Sequence, residues 1–551
     1  DARVNPTGTS PARFFRALQA VGDPAIARQF TQLRSIVTAD PKIAAKVKDK
    51  QDLEREINRL SNQINTGTDP ALAKPLEAQR SELENRLIAI GNELQANKAY
   101  DAVNDSPATI EDVQRVLKPG ETYYKLSGVR NYAFGILIDA DGAQIFRVGQ
   151  KLNVLKTLAA KLRSTIDGDE ASGKLPNFGV GAASALFQLI AGPVADRMLA
   201  AHALIVDGSG PLEQLPMGVL VTNKDSVTRY LQSVKATPGE RYSKVDFLAR
   251  KLSISNALSP RSLIVARQSA PSAAPNPFIG FAEHAPVPTN VVLGDQFVSI
   301  GNGCSIDIEA VAAGLKAYNP IPARELDEAT DALGIKGAPK LTKLDFTDTA
   351  IKARTDLDQF QVLHFATHGV NEGDYGCDGR SPPGLVTSLG SKGSVALLSF
   401  SDIARLRLDA NLVVLSACET ASELNRESSR AAGQESGSGN ASLEGLVRAV
   451  LAANARAVLA TYWPISNAGE SEQLISAFYG AARKGTIGDA LKVAQTELIA
   501  NPDSSHPFFW GAFFLVGDAQ KPLLTGAARA QMAQGGADDP GAAPAGKQAV
   551  R

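Results

Sequence analysis

The chain is poor in cysteine, nearly neutral in charge and without a long apolar run, and each shortage argues against a class of function. Three cysteines, Cys304, Cys377 and Cys418, in 551 residues are too few for a disulfide framework. A reducing compartment fits that count; the alternative is an exported protein in which Cys304 pairs with Cys377 and leaves Cys418 free. Charge of neither sign prevails, since 57 basic residues stand against 58 acidic ones for a net charge of −1. That balance gives no reason to expect nucleic acid or an anionic membrane as a partner. No uninterrupted apolar stretch is long enough to span a bilayer. The first residue is Asp1 rather than methionine, and upstream sequence, a signal peptide or repeats, is expected to have been removed.

What is present is enough for a large core. At 44% hydrophobic residues, the length suggests about three or four domains. Residues 1–120 read as helical: Leu53, Ile57, Leu60 and Ile64 recur at helical steps, as do Leu76, Leu83, Leu87, Ile90 and Leu94 after the breaker Thr66-Gly67-Thr68-Asp69-Pro70. Two amphipathic helices in a hairpin or coiled-coil pairing are expected, structural in role or a regulatory docking arm. From Glu121 the period changes. Tyr132 to Ile138, the turn Asp139-Ala140-Asp141-Gly142 and Ala143 to Val148 read as a β-hairpin, and His202 to Gly208 as a buried strand. Residues 121–270 form one expected α/β unit, and Ser269 to Pro275 has linker composition. In 271–524 strands alternate with helices, which argues a mostly parallel sheet covered on both faces. From Thr525 to Arg551 the chain is mostly Ala, Gly, Pro and Gln, and disorder is expected.

Two strand-like runs carry the chemistry. Val362-Leu363-His364-Phe365-Ala366-Thr367-His368-Gly369 is followed by Val413-Val414-Leu415-Ser416-Ala417-Cys418-Glu419-Thr420, with fifty positions (418 − 368) between the second imidazole and the thiol. Function collects at the carboxyl ends of strands in a parallel sheet, so His368 and Cys418 could stand side by side. A thiol becomes a useful nucleophile near neutral pH when an imidazole takes its proton. The backbone amides of Gly369 and Cys418 are the candidate oxyanion donors. The competing readings are a core cysteine, and zinc held by His364 and His368, four residues apart. That spacing serves a metal on a helix, but this run is strand-like and lacks the glutamate of His-Glu-x-x-His, so no metal is expected. His364 is expected to pack beneath the site. His202 and His284 lie outside both motifs, with no Cys or carboxylate partner at ligand spacing.

With Trp463-Pro464-Ile465 and His506 to Asp518, these runs resemble the CHAT family of caspase-like and separase-like cysteine peptidases, usually bacterial and often joined to tetratricopeptide repeats. The resemblance extends over about residues 121–520. It implies a caspase-like three-layer α/β sandwich with a mostly parallel sheet, in which His368 is general base or acid and Cys418 the nucleophile. Gly369 and Cys418 would form the oxyanion hole, and 121–270 an inactive pseudo-protease half beside the active one. It further implies no cofactor and a protein substrate, such as a pore-forming or regulatory protein encoded nearby, in a bacterial defence or regulatory pathway. The bacterial cytoplasm is favoured over export. A catalytically silent scaffold is the alternative function, and acyl transfer to something other than water would use the same residues.

Two departures qualify the carry-over. The tetratricopeptide pattern of about 34 residues does not recur in residues 1–120. After the Trp-Pro run, where relatives often carry acids and separases hold a basic residue, this chain has Ser466 and Asn467. A substrate pocket is therefore expected from Trp463, Ser466 and Asn467, with Glu372, Asp374 and Asp378 as acids that could swing in. The stretch Ala421 to Ser442 reads either as a passive surface loop or as one that blocks or builds the groove until an activating partner reorders it.

Overall fold

The computed structural model describes residues 10–22, 53, 75–76, 79–83, 85–86, 89–90, 107–166, 175–208, 215–236, 241–287, 297–301, 304–316, 318–370, 381–390, 394–416, 438–463 and 469–535. Its centre is a mixed sheet. An antiparallel meander forms one end, with strands β1 (Glu121–Val129), β2 (Tyr132–Asp139) and β3 (Gly142–Lys151), and β2 and β3 turn at the expected Asp-Gly. Strands β4 (Ala203–Gly208) and β5 (Ser253–Asn256) continue from β1 in parallel. A hairpin outside the main sheet follows, β7 (Phe297–Gly301) with β8 (Cys304–Asp307), after strand β6 (Asn276–His284). Strand β6 itself runs parallel to β9 (Lys340–Lys343) and β10 (Phe360–Ala366). A small antiparallel sheet branches off next: β11 (Gly369–Val370), β12 (Gly384–Val386) and β13 (Leu397–Ser399). Strands β14 (Leu412–Leu415), β15 (Ala457–Thr461) and β16 (Phe513–Gly517) complete the main sheet.

The main sheet has eleven strands in the order β3-β2-β1-β4-β5-β16-β15-β14-β10-β6-β9. Strand β16 is parallel to β5 but antiparallel to β15. The sheet is therefore two parallel blocks running in opposite directions and joined at one seam, so their carboxyl ends lie on opposite edges. Gly517 makes the seam possible. Its φ is +102°, and a Cβ there would come within 2.4 Å of the Arg456 carbonyl.

Strands buried on both faces read as unbroken apolar runs, and β10 is buried along its whole length. Val362 and Ala366 enter one core, Leu363 and Phe365 the other. Helices Val180–Ala191, Arg324–Leu333, Glu470–Ala482 and Ile487–Ala500 cover the first face. Helices Asp348–Ala353, Phe400–Arg405 and Ser438–Ala452 cover the second around β10, while Pro11–Gly22, Ile110–Val116 and Pro260–Gln268 cover it around β1. The result is a three-layer α/β architecture with a large, mostly parallel sheet, as expected.

Several local expectations need amendment. Ser269 to Pro275, which has linker composition, is bolted down: Ser272 N–H donates to Asn411 Oδ1 (3.0 Å), Arg456 Nε to the Ala270 carbonyl (2.6 Å) and Gln361 Nε2 to the Ala274 carbonyl (2.7 Å). Small polar residues suit such bonding as well as they suit a free linker. The stretch expected to be disordered from Thr525 begins with a helix, Gly526–Gly535, whose Ala528 is buried. Thr525 anchors it through bonds to Gln361 and to the Ser272 carbonyl. Residues 536–551 lie outside the described residues. The helix expected from Leu443 begins at Ser438, within the stretch read as a loop. Of the expected N-terminal helical pair, Leu53 is helical and buried, and Leu76, Leu83 and Ile90 are helical and half-buried. Ile57, Leu60, Ile64, Leu87 and Leu94 lie outside the described residues.

Candidate active site

Strand β10 is flanked by β14 on one side and β6 on the other, both parallel to it. The β10/β14 register runs Val362↔Leu412, Leu363↔Val413, His364↔Val414 and Phe365↔Leu415. It is extended by the Ser416 amide, which donates to the Phe365 carbonyl at 2.9 Å. The two runs singled out in the sequence are thus adjacent parallel strands.

Beyond Ala366 the chain is pinned to the small sheet. Thr367 Oγ1 donates to the Val386 carbonyl (2.6 Å), and the Val386 amide donates to the His368 carbonyl (2.8 Å). Gly369 then sits opposite Leu385 in antiparallel register. The bond from Val386 to His368 makes Gly369–Leu385 a non-hydrogen-bonded pair, so the Gly369 N–H is directed away from β12.

The His368 ring is held from two sides. Its Nε2 lies 2.6 Å from the Asn319 carbonyl, and because a carbonyl can only accept, Nε2 carries the proton and donates. The ring of Tyr318 packs against it with centroids 5.4 Å apart. A third imidazole contributes that the sequence did not single out: His284, the last residue of β6, has its ring centroid 6.0 Å from that of His368, at 74°. Its Nε2 donates to the Tyr318 carbonyl (3.1 Å). Burial pushes its pKa below the ordinary imidazole value; the Tyr318 bond opposes that shift, and the neighbouring His368 adds to it. No spacing rule finds His284, which lies 84 residues (368 − 284) from His368 and meets it only through strand pairing. His202 likewise has a carboxylate partner only in space, Asp489 at 2.9 Å.

His364 packs beneath this level in a buried polar group. Its Nε2 is 2.9 Å from Glu325 Oε1, and Tyr479 Oη is 3.2 Å from its Nδ1. Gly280 of β6 lets the helix bearing Glu325 approach, since a Cβ there would meet Leu326 Cδ1 at 2.7 Å. Burial, reinforced by Glu325, raises the Tyr479 pKa far above its ordinary value, so the phenol is neutral and donates to His364 Nδ1. Among the described residues no group of three or more His, Cys, Asp or Glu could hold a metal ion.

Of the remaining candidates, Cys418, Glu372, Asp374, Asp378, Ser466 and Asn467 lie outside the described residues, as does most of Ala421 to Ser442. Trp463, expected at a substrate pocket, is in the core: it is 2% exposed, Nε1 donates to the Phe508 carbonyl (2.9 Å), and the Arg163 guanidinium lies 4.2 Å over its ring. A tryptophan sequestered in this way supports the strand end from below. His506 starts the helix Pro507–Trp510 by accepting the Phe508 amide at Nδ1 (3.1 Å), while Nε2 donates to the Pro176 carbonyl (2.9 Å).

The sequence is 34% identical over 133 residues to tetratricopeptide repeat protein 28 of Mus musculus, a stretch covering 23% of this chain and 5% of that protein. With the Homo sapiens protein of the same name it is 34% identical over 131 residues, covering 23% and 4%. The matched stretch is thus about a twentieth of the mouse relative's length. Among solved structures, the crystal structure of the Arg-specific cysteine proteinase gingipain R aligns over 67% of this chain and 74% of its own, at 10% identity and a TM-score of 0.32. The model of the CHAT domain matches residues 180–518, more than half of the sequence, and the chain therefore belongs to the CHAT domain family.

Proposed function

We propose that this chain is a cysteine endopeptidase of caspase-like type in which His368 and Cys418 form the catalytic dyad. The observation that carries the reading is the β10/β14 register. Phe365 and Leu415 are paired, and His368 and Cys418 each lie three residues beyond them (368 − 365 and 418 − 415). Two chains leaving adjacent parallel strands at the same level favour a meeting of imidazole and thiol.

The orientation of His368 supports the chemistry. With Nε2–H donated to the Asn319 carbonyl, Nδ1 holds the lone pair that would take the thiol proton. The Cys418 sulfur then attacks the substrate carbonyl carbon, forming a C–S bond and an oxyanion facing the amides of Gly369 and Cys418. The tetrahedral intermediate collapses, the C–N bond breaks, and His368 gives its proton to the departing amine. Water, deprotonated by His368, attacks the thioester, the C–S bond breaks, and acid and free thiol result. The substrate is a protein partner, and a second protein could control access through the stretch after Cys418. With Ser466 and Asn467 after the Trp-Pro run, we propose no strong preference for Arg or Lys before the scissile bond. If one of Glu372, Asp374 or Asp378 supplied a carboxylate, a charge-assisted bond would reverse that preference.

Incubation of the wild-type chain with a peptide library, beside Cys418→Ala, tests the reading. Cleavage that disappears in the variant supports it. Cleavage surviving in Cys418→Ala overturns the mechanism, and an inert wild type under all conditions points to the silent scaffold. A dominant Arg or Lys at the cleaved bond overturns the specificity reading, with Asp374→Ala the first variant to test.

A further inference from the structure

We infer that His284 is a positioning residue for His368, acting through the turn at Tyr318 and Asn319. The inference rests on the dyad proposed above. Two consecutive carbonyls each capture one imidazole: Tyr318 accepts from His284 Nε2, and Asn319 accepts from His368 Nε2. Both rings are thereby set in the same tautomer and at a fixed mutual angle. The carbonyl that orients the candidate base belongs to a segment that His284 ties to the sheet.

The backbone is bent to deliver His284 there. Ala282 pairs with Thr342 and His284 with Lys343, so Glu283 is an extra residue, a bulge at the end of β6. Glu283 has φ +53°, and Lys343 opposite has φ +53° as well; neither is glycine. Left-handed conformations cost free energy at such residues and are found at sites where the surrounding structure over-determines them. The extra residue reverses the alternation of side chains along the strand, which re-aims position 284. Ser388 holds the bend: its hydroxyl donates to the Lys343 carbonyl (2.5 Å) and accepts the Ala285 amide (2.8 Å).

Most buried polar atoms have a hydrogen-bond partner. His284 is 2% exposed, yet its Nδ1 is buried with no hydrogen-bond partner among the described residues. His506, by contrast, uses both of its nitrogens. A neutral His284 leaves a lone pair at Nδ1; a protonated one would bury an orphan N–H beside the His368 ring, so the His284 ring stays neutral. Among the described residues, the titratable or charged groups that face His284 are Tyr318 and His368, with Glu283 and Lys343 in the bulge, 3.8 Å apart as an ion pair.

The test separates the donor from the ring. His284→Phe keeps the ring and its packing but has no N–H for the Tyr318 carbonyl, whereas His284→Gln keeps a donor without the ring. The readout is the rate of iodoacetamide alkylation at Cys418 as a function of pH, resolved from Cys304 and Cys377 by peptide mass spectrometry, alongside kcat and KM for a cleaved peptide. In the wild type the alkylation inflection should lie below the ordinary thiol value of roughly 8.5 and rise towards it in His368→Ala. His284→Phe should move the inflection the same way and lower kcat on the order of 10-fold to 100-fold with little change in KM. His284→Gln should stay close to wild type. Thermal melting of each variant establishes that it is folded; should the Phe variant fail to fold, His284→Leu takes its place as the donorless form. An unmoved inflection in a folded donorless variant, or equal behaviour of the donorless and Gln forms, overturns the positioning role. A wild-type inflection that His368→Ala does not alter overturns the dyad itself, and the inference with it.

Discussion

The carboxyl ends of the two parallel blocks face opposite edges of one sheet and are finished in opposite ways. At the end of β4, against the middle of β1, Lys125 Nζ donates to Asp207 Oδ1 at 2.9 Å and the Tyr123 hydroxyl donates to Asp207 Oδ2. Opposite charges are buried there with both carboxylate oxygens engaged; the described residues at that end include no thiol or imidazole, and one hydroxyl, Ser127 Oγ, is buried without a partner. At the end of β6 and β10 stand two imidazoles, one with an unpaired nitrogen, on a backbone bent through two left-handed residues. A carboxylate closed by an ammonium and a phenol suits a supporting end, whereas imidazoles, which can give and take protons, suit a site of chemistry.

The largest effect should come from the active end. Cys418→Ala and His368→Ala should each lower peptide cleavage by at least about 10³-fold. The double variant should be no worse than either, since the two act as one unit, and melting should be unchanged. Additive losses would break the dyad.

At the supporting end the effect should fall on stability alone. Lys125→Met leaves Asp207 as a buried carboxylate without its cation and should cost about 3–5 kcal/mol in denaturant unfolding. The kcat of the molecules that remain folded should be unaltered. A variant that keeps its stability but loses activity would show that this end belongs to the chemistry.

A third prediction concerns pH. Burial, aided by Arg241 and opposed by the bond to the Pro176 carbonyl, lowers the His506 pKa from 6.5 to about 4. The unfolded chain therefore binds this proton first, so the contribution of neutral His506 is complete above about 6.5 and is lost as pH falls towards about 4. The loss approaches about 3 kcal/mol at the low end. Urea unfolding at pH 7 and pH 4.5 should show a steeper acid loss in wild type than in His506→Gln, and equal slopes would refute the assignment.

The smallest effect lies beneath the site. Glu325→Leu removes the partner of His364 Nε2 and should cost about 1–3 kcal/mol, the penalty of a buried donor left unpaired. Denaturant titration measures it, and a neutral outcome would mean that His364 finds another acceptor.

Much of this contrast was legible beforehand. The runs around Val362 and Val413 are apolar, branched and short, and a strand buried on both faces can be little else. The Asp-Gly turn after Asp139 announced its hairpin because few residues adopt the turn's positive φ. Less legible were short segments such as β5 and β11, whose few residues carry no period, and the ordered tail helix, whose alanines and glycines resemble a disordered sequence. The Trp-Pro motif says nothing about which way an indole faces, and only the structure shows Trp463 turned into the core.

The sequence by itself determined the alternation of strands and helices, the near-zero net charge and the placing of a histidine and a cysteine just past two apolar runs, since these follow from local periodicity and composition. Only the tertiary structure decided that the runs are neighbours in parallel register, that β16 joins two opposed blocks, and that His284 stands beside His368. Those are contacts between residues far apart in sequence, and they depend on which strands pair and where one bulge re-aims a side chain, neither of which a local pattern encodes.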